Sequence, residues 1–148
     1  MTEARKHGEE MAYYLGDLEA VRDTALESDE WSVLHAVIES TLPVRNAWIM
    51  RERISARVFD RSVIPRTTLR SKGEAGRLSV EQSERAVRIG RVYARAAEVF
   101  GDRERATAWL ERPSPAFEGR APAEWLGNEA GARYIEEILG RLEHGIAA

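Results

Sequence analysis

Patterns typical of β-strands are almost absent from this chain, and helical repeats of apolar residues fill the intervals between its glycines and prolines. Apolar positions recur three and four residues apart, which places them on one face of an α-helix. Glycine and proline interrupt these repeats and mark where helices end. The sequence therefore predicts an all-α fold.

Capping signals divide the second half of the chain into helices. Ser79 and Gln82 have the spacing of a capping box at the start of a long helix, and Gly101 ends that helix. Asp102 is placed to cap the next helix, and Asn128 to cap the last one. The last helix is predicted to bury one face, made of Tyr134, Ile135, Ile138, Leu139 and Leu142.

Two short helices are predicted in the middle of the chain, from Ser55 to about Arg61 and from Pro65 onward. A pair of short helices joined by a tight turn is the shape of a helix-turn-helix. The second helix offers side chains suited to base edges and phosphates: Arg66, Thr67, Thr68, Arg70 and Lys72. The turn holds Ser62-Val63 where a small residue or glycine is often found, so a structural helix pair without DNA binding is the alternative.

The charge distribution favours an anionic partner for this middle region. The net charge is −3, but residues 61–95 contain nine basic and three acidic side chains, and both flanks are acidic. Such a basic segment is typical of a surface that meets a nucleic acid backbone. The alternative is an ordinary solvated helix face, on which Arg85, Arg88 and Arg95 point outward.

The first 40 residues give weaker signals. Apolar residues from Tyr14 to Ala25 permit an amphipathic helix, and the residues before it, including His7, are predicted to be a loose end. A further helix follows, on which Trp31 shares a face with other apolar residues. Thr41 is predicted to cap the helix after it.

The four tryptophans have helical core spacing, so most are predicted to be buried. Trp109 and Trp125 are also candidate interface anchors, because tryptophan is over-represented in protein interfaces.

No constellation for catalysis or metal binding is apparent. The three histidines are far apart, and neighbouring carboxylates on a helix point about 100° apart, so they cannot share one ion or proton. We therefore predict no enzyme, no cofactor and no metal site. The chain has no cysteine, no visible secretory signal and no apolar run of the roughly 20 residues that a membrane span needs. These features predict a cytoplasmic protein without a membrane segment.

A series of short motifs occurs in a characteristic order over about two-thirds of the chain. The motifs are residues 64–69 (IPRTTL), 76–79 (GRLS), 97–102 (AEVFGD), 108–110 (AWL), 113–117 (PSPAF), 119–122 (GRAP), 129–132 (EAGA) and 140–145 (GRLEHG). Each is weak alone, but their combination resembles the Xre/MbcA/ParS antitoxins.

The resemblance implies a type II antitoxin that neutralises a RES-domain toxin, which consumes NAD or transfers ADP-ribose. It implies that the C-terminal domain covers the toxin's active site and that the Xre-like part dimerises and binds promoter DNA. The final helix and tail would face the toxin, with Arg141, Glu143 and Gly145 foremost. The full set of predicted toxin-binding residues is Trp109, Trp125, Glu137, Arg141, Leu142, Glu143, Gly145 and Ile146.

The resulting domain prediction has three parts. Residues 1–30 form a partly ordered N-terminal segment, residues 31–95 an Xre-like helix-turn-helix and dimerisation region, and residues 96–148 a small helical toxin-binding domain. Two alternatives remain. One is a stand-alone helix-turn-helix transcriptional regulator with a helical dimerisation domain, and the other is a structural adaptor with a vestigial helix-turn-helix.

Overall fold

The computed structural model describes residues 3–24 and 29–145. Within these ranges the regular elements are helical, and a single antiparallel bridge pairs Pro43 with Arg77, so the predicted all-α class is confirmed. The α-helices are α1 (Glu3–Tyr14), α2 (Asp29–Ser40), α3 (Val44–Arg53), α4 (Ala56–Ser62), α5 (Arg66–Ser71), α6 (Val80–Phe100), α7 (Arg103–Glu111) and α8 (Glu129–Glu143). Short 3₁₀ helices span Glu19–Val21, Pro115–Phe117 and Pro122–Trp125.

Helix α6 is the centre of the fold, and α1, α2, α7 and α8 pack around it. The predicted capping box opens it: the Ser79 hydroxyl accepts from the Gln82 amide, and the Gln82 side chain accepts from the Ser79 amide. Gly101 ends it in a left-handed conformation, with φ of 69°. Small side chains let the neighbours approach closely, since a Cβ on Gly90 would lie 2.7 Å from the Leu15 side chain. One long buried helix therefore organises the core.

The predicted pair of short helices is present as α4 and α5. Ser55 caps α4, and Pro65 precedes α5. The turn between them buries Val63 with φ of −111°, an ordinary conformation for a β-branched residue, so this turn needs no glycine. Arg85 on α6 donates to the Val63 carbonyl at 3.4 Å. The helix pair is thus anchored on α6 by its turn.

The N-terminal helix lies earlier in the chain than predicted. Helix α1 ends at Tyr14, where the sequence predicted a helix running on to Ala25, a residue outside the described ranges. The chain turns at Gly16 and Asp17, whose φ values are 70° and 63°. Asn46 holds this turn, because its side-chain amide donates to the Gly16 carbonyl at 2.8 Å. The left-handed turn at Gly16 and Asp17 therefore ends the helix, and the contact with Asn46 holds that turn against α3.

Two local predictions about α2 and α3 are wrong. Thr41 does not cap α3: it has φ of 67°, its hydroxyl donates to the Ser40 carbonyl, and Pro43 occupies the capping position. Trp31 is not buried, because 54% of its surface is exposed on α2. Its face of α2 lies at the edge of the core, where the Arg91 guanidinium covers the ring at 5.4 Å from the centroid.

His7 is buried, contrary to its predicted position in a loose end. Its Nδ1 lies 2.6 Å from Glu98 and its Nε2 lies 2.7 Å from Glu30. Two carboxylate acceptors require both ring nitrogens to donate, which only the imidazolium can do. Burial alone would lower the pKa of His7, but hydrogen bonds and charges from Glu30 and Glu98 outweigh it and raise the pKa from 6.5 to about 9. This histidine bridge ties α1 to α2 and α6.

The histidine bridge predicts a stability that falls at alkaline pH. Since the folded-state pKa is raised, the stabilisation is fully present below pH 6.5 and is lost as the pH rises through about 9. Its full size is on the order of 3 kcal/mol. Urea unfolding of the wild type and His7→Gln at pH 6 and pH 9.5 measures it, and we expect the difference between the two proteins to shrink at pH 9.5. The matched control is His35→Gln, which changes an exposed histidine. If the difference in unfolding free energy between the wild type and His35→Gln shrank by the same amount from pH 6 to pH 9.5, the assignment to His7 would be contradicted.

Candidate functional site

Three arginines in the middle of α6 face three glutamates spread along the length of α8. The glutamates are seven residues apart and the arginines three and four apart, spacings that keep each set on one face of its helix. We call this set the arginine–glutamate ladder; its members are Arg88, Arg91, Arg95, Glu129, Glu136 and Glu143.

Arg91 is the middle of the ladder and its most buried member. Its guanidinium donates to Glu129 at 2.8 Å and to both carboxylate oxygens of Glu136 at 2.9 and 3.1 Å. Burial lowers the pKa of Arg91, but the charges and hydrogen bonds of the two glutamates outweigh it and raise the pKa above its usual value. The group therefore stays charged inside the structure.

The two ends of the ladder lie near the ends of α8. Arg95 donates to both oxygens of Glu143 at 2.6 and 3.1 Å, and this contact holds the pKa of Glu143 below its usual range. Arg88 donates to the Leu126 carbonyl at 3.3 Å and lies 3.6 Å from Glu129. The ladder thus fixes α8 against α6 from one end to the other.

The ladder shows that the basic segment, residues 61–95, is not simply a solvated helix face. Arg88 and Arg91 are buried, and Arg95 is half-buried and paired with an acid, whereas Arg85 is exposed as predicted. Charge in residues 61–95 is therefore partly neutralised within the fold. The sequence contains one signal for it, since residues 88, 91 and 95 share one face of a helix and residues 129, 136 and 143 share one face of another. No local rule, however, pairs segments about 40 residues apart.

An aromatic cluster fills the space between α7, α8 and the two 3₁₀ helices of the C-terminal region. Neighbouring rings lie 5.1–6.0 Å apart, centroid to centroid, and the members are Phe100, Trp109, Phe117, Trp125 and Tyr134. Both tryptophans predicted as interface anchors are half-buried members of this cluster. They pack inside the C-terminal region and expose only part of their rings.

The start of α8 is fixed by Asn128 and Gly131. The Asn128 side chain accepts from the Gly131 amide at 2.9 Å, which confirms the predicted cap. A Cβ at residue 131 would lie 1.7 Å from the Trp125 carbonyl oxygen, so only glycine fits there. This contact seats the first turn of α8 directly on the aromatic cluster.

The side of α8 away from α6 is exposed. We call it the outer face of α8; it consists of Ala130, Arg133, Glu137, Arg141 and His144. Arg141 donates to Glu137 at 3.0 Å, so these two predicted toxin-binding residues form one exposed ion pair. The outer face is polar and directed to solvent, and the ladder fixes the opposite side of α8 to α6.

The remaining predicted toxin-binding residues lie in different environments in the structure. Leu142 is half-buried against the core, and Glu143 belongs to the ladder. Gly145 follows the end of α8 with φ of 74°, and its amide donates to the Leu142 carbonyl at 3.1 Å. Ile146 lies outside the described residues. The structure therefore brings only part of the predicted set together on one surface.

The predicted DNA-binding residues share a separate surface on α5. Arg66, Thr67, Thr68 and Arg70 are exposed and Lys72 is half-buried, while Leu69 is buried beneath them. In the ranges that the structure describes, no carboxylate forms an ion pair with the three cations of this set. We call these five predicted residues the α5 surface; it is basic and differs from the ladder in leaving its cations open to solvent.

Two searches of the described residues gave negative results. No group of three or more histidine, aspartate or glutamate side chains in residues 3–24 and 29–145 has the arrangement needed to hold a metal ion. No helix in that part of the chain is long and apolar enough to cross a membrane.

Comparison with known proteins finds a family match in the C-terminal region and three similar proteins. Residues 95–145 match the family described as the antitoxin Xre/MbcA/ParS C-terminal toxin-binding domain. The chain is 37% identical over 82 residues to the Antitoxin Xre of Yersinia enterocolitica, a stretch that covers 55% of each protein. It is 34% identical over 84 residues to the Antitoxin Xre of Pseudomonas putida, covering 56% of this chain and 53% of that protein. It is 34% identical over 74 residues to the Antitoxin Xre of Photorhabdus laumondii, covering 49% and 50%.

These matches confirm the resemblance drawn from the sequence motifs. The family match covers residues 95–145, a stretch that includes α7, α8 and the aromatic cluster. The aligned stretches span about half the length of these relatives.

Breaking the ladder at its centre is expected to destabilise the fold. Arg91→Ala leaves Glu136 without its cation and removes the nearest cation of Glu129, and we expect the free energy of unfolding to fall by roughly 1–3 kcal/mol, allowing for the partial exposure of both glutamates. Urea unfolding monitored by circular dichroism measures it. The matched control is Arg133→Ala, which removes an exposed arginine 3.6 Å from the same Glu129 and is expected to change stability by less than about 0.5 kcal/mol. Equal losses in both variants would show that the ladder is not a structural element.

Proposed function

We propose that this chain is the antitoxin of a type II toxin–antitoxin system and that its C-terminal region binds the toxin. The observation that supports it most is the match of residues 95–145 to a toxin-binding domain family. The relatives that align with the chain are each named Antitoxin Xre. The proposed partner class, a RES-domain toxin that consumes NAD or transfers ADP-ribose, follows from the same resemblance.

The outer face of α8 and the tail after it are the proposed toxin-binding surface. Glu137 and Arg141 are exposed there, and Gly145 and Ile146 continue the chain from its end. A surface held rigid before binding loses less entropy on association, and the ladder supplies that rigidity. Leu142 and Glu143 serve this surface by anchoring the last turn of α8. Trp109 and Trp125 support α8, and the exposed edges of their rings add to the proposed toxin-binding surface.

Neutralisation is proposed to be steric and to involve no catalytic step by this chain. The antitoxin would cover the toxin's active site. Arg141 suits such a place because a site for a dinucleotide must accommodate an anionic pyrophosphate, and a guanidinium binds anionic oxygens through two parallel hydrogen bonds. In this proposal the Arg141 side chain occupies part of the dinucleotide-binding site of the toxin.

DNA binding by the helix-turn-helix is the second part of the proposal. The open cations and hydroxyls of the α5 surface fit phosphates and base edges. We propose that the chain binds its own promoter as a homodimer and so regulates its own synthesis. Since promoter DNA and an NAD-dependent toxin are both found in the cytoplasm, we propose the same location for this chain.

Reversal of one charge on each surface separates the two activities. We expect Arg141→Glu to lose protection of cells against the proposed toxin, for which the product of the adjacent reading frame is the test protein, since the substitution places an anion where the partner receives a cation. Arg66→Glu is the matched control, an equal reversal on exposed α5, and is expected to protect as the wild type does. Growth of cells that express the neighbouring protein with each variant measures this.

The outcomes of the growth experiment distinguish the candidate functions. Failure of the wild-type chain to protect against a toxic neighbour would refute the antitoxin assignment for that pair and would favour the stand-alone regulator. Protection by Arg141→Glu at the wild-type level would refute the outer face of α8 as the binding surface.

DNA binding is expected to show the reverse pattern in the same two variants. Arg66→Glu removes a phosphate or base contact and should weaken binding to the promoter duplex by roughly tenfold or more, whereas Arg141→Glu should bind as the wild type does. Fluorescence anisotropy over a series of salt concentrations measures both affinity and the number of phosphates contacted. Equal weakening by both variants would argue against the α5 surface as the DNA-binding site.

A further inference from the structure

A contact between the helix-turn-helix and the C-terminal region involves Arg61 and Glu124. Arg61 lies near the end of α4, and its Nη1 is 3.8 Å from Oε1 of Glu124 in the 3₁₀ helix Pro122–Trp125. Both groups reach solvent, with 46% of the Arg61 side chain and 30% of the Glu124 side chain exposed. A carboxylate of the C-terminal region is therefore placed beside a cation of the helix-turn-helix.

The carboxylate of Glu124 is held in place by its own segment. Its Oε2 accepts from the Ala121 amide at 2.9 Å, and Arg120 lies 3.6 Å from Oε1. The Ala121 amide, followed by the charges of Arg120 and Arg61, holds the pKa of Glu124 below its usual range. One oxygen is thus occupied by the backbone, while the other faces two arginines.

Arg61 stands close to the α5 surface along the chain. It precedes the turn at Val63, and α5 begins five residues after it, at Arg66. In helix-turn-helix proteins the beginning of the second helix is the part that meets the bases, and flanking cations contact phosphates. Arg66 and Arg70 have no carboxylate partner in the described ranges, whereas Arg61 has one.

We propose that Arg61 is a further phosphate-binding residue and that Glu124 competes with DNA phosphate for it. The inference rests on the proposed DNA binding and assigns a role in it to a residue of the toxin-binding region. An exposed ion pair at this distance is weak, so a phosphate can replace the carboxylate. Glu124 then lowers DNA affinity, because its negative charge repels the backbone that Arg61 attracts.

The test is a double-mutant cycle on the full chain. The variants are Glu124→Gln, Arg61→Ala and the two combined, and the probe is a labelled duplex of the DNA upstream of this chain's reading frame. Glutamine keeps an oxygen for the Ala121 amide, as in a capping box, so Glu124→Gln removes the charge without removing the local hydrogen bond. Glu104→Gln is the matched control: it removes the same charge from an exposed residue of α7 that forms no ion pair in the described residues.

We expect Glu124→Gln to bind the duplex roughly two- to fivefold more tightly at low salt. The slope of log affinity against log salt is expected to steepen by up to about 0.9, which corresponds to one additional phosphate contact. Both changes should be absent when Arg61→Ala is also present, and absent in Glu104→Gln.

Three results would overturn the inference. Wild-type affinity in Glu124→Gln would show that the carboxylate does not compete. An equal gain in Glu104→Gln, or a gain that survives Arg61→Ala, would show a general charge effect that does not act through Arg61. Absence of duplex binding by the wild-type chain would refute the DNA-binding part of the proposed function itself, a result distinct from the first two.

Discussion

The structure depends on keeping three arginines charged along a helix that is buried on most of its surface. Helix α6 could not be packed on several sides if Arg88, Arg91 and Arg95 lacked partners, because a buried charge without a partner is strongly destabilising. Glu84 of α6 pairs with Arg88, and the glutamates of α8 supply the partners of Arg91 and Arg95 and at the same time determine where α8 lies. At the opposite end of the chain, the histidine bridge attaches α1 and α2 to the same helix through Glu98. Arg95 lies 3.6 Å from Glu98 and also binds Glu143, so the two charge networks meet on α6.

This arrangement leaves two polar surfaces for partners. The ladder uses the glutamates of α8 that pair with α6 and leaves the outer face of α8 free, and Glu143 holds the last turn of α8 to Arg95. The α5 surface differs because its cations have no acidic partner in the described ranges. One sequence segment that reads as uniformly basic is therefore divided into internal cations that hold the fold and external cations that are available to an anion.

The sequence predicted those features that depend on residues a few positions apart. The capping box of Ser79, the helix end at Gly101 and the cap at Asn128 were predicted correctly because each satisfies backbone groups within four residues. The sequence did not reveal the position of His7, since its partner Glu98 lies 91 residues away. The exposure of Trp31 was missed for a similar reason: periodicity indicates which residues share a helix face but not whether another helix covers that face. The sequence motifs predicted which segment of the chain contains the candidate site. Only the packing of α8 on α6 shows which residues of that segment face α6 and which face solvent.

The central claim is that the partner protein binds the outer face of α8 while the α5 surface stays free. Hydrogen–deuterium exchange of the full chain, alone and in complex with the proposed toxin, tests this most directly. The account predicts that amide protection increases in residues 129–145 and stays unchanged in residues 66–71. Protection gained over residues 66–71 with none in α8 would contradict it, because the partner would then occupy the proposed DNA-binding surface and leave the proposed toxin-binding surface exposed.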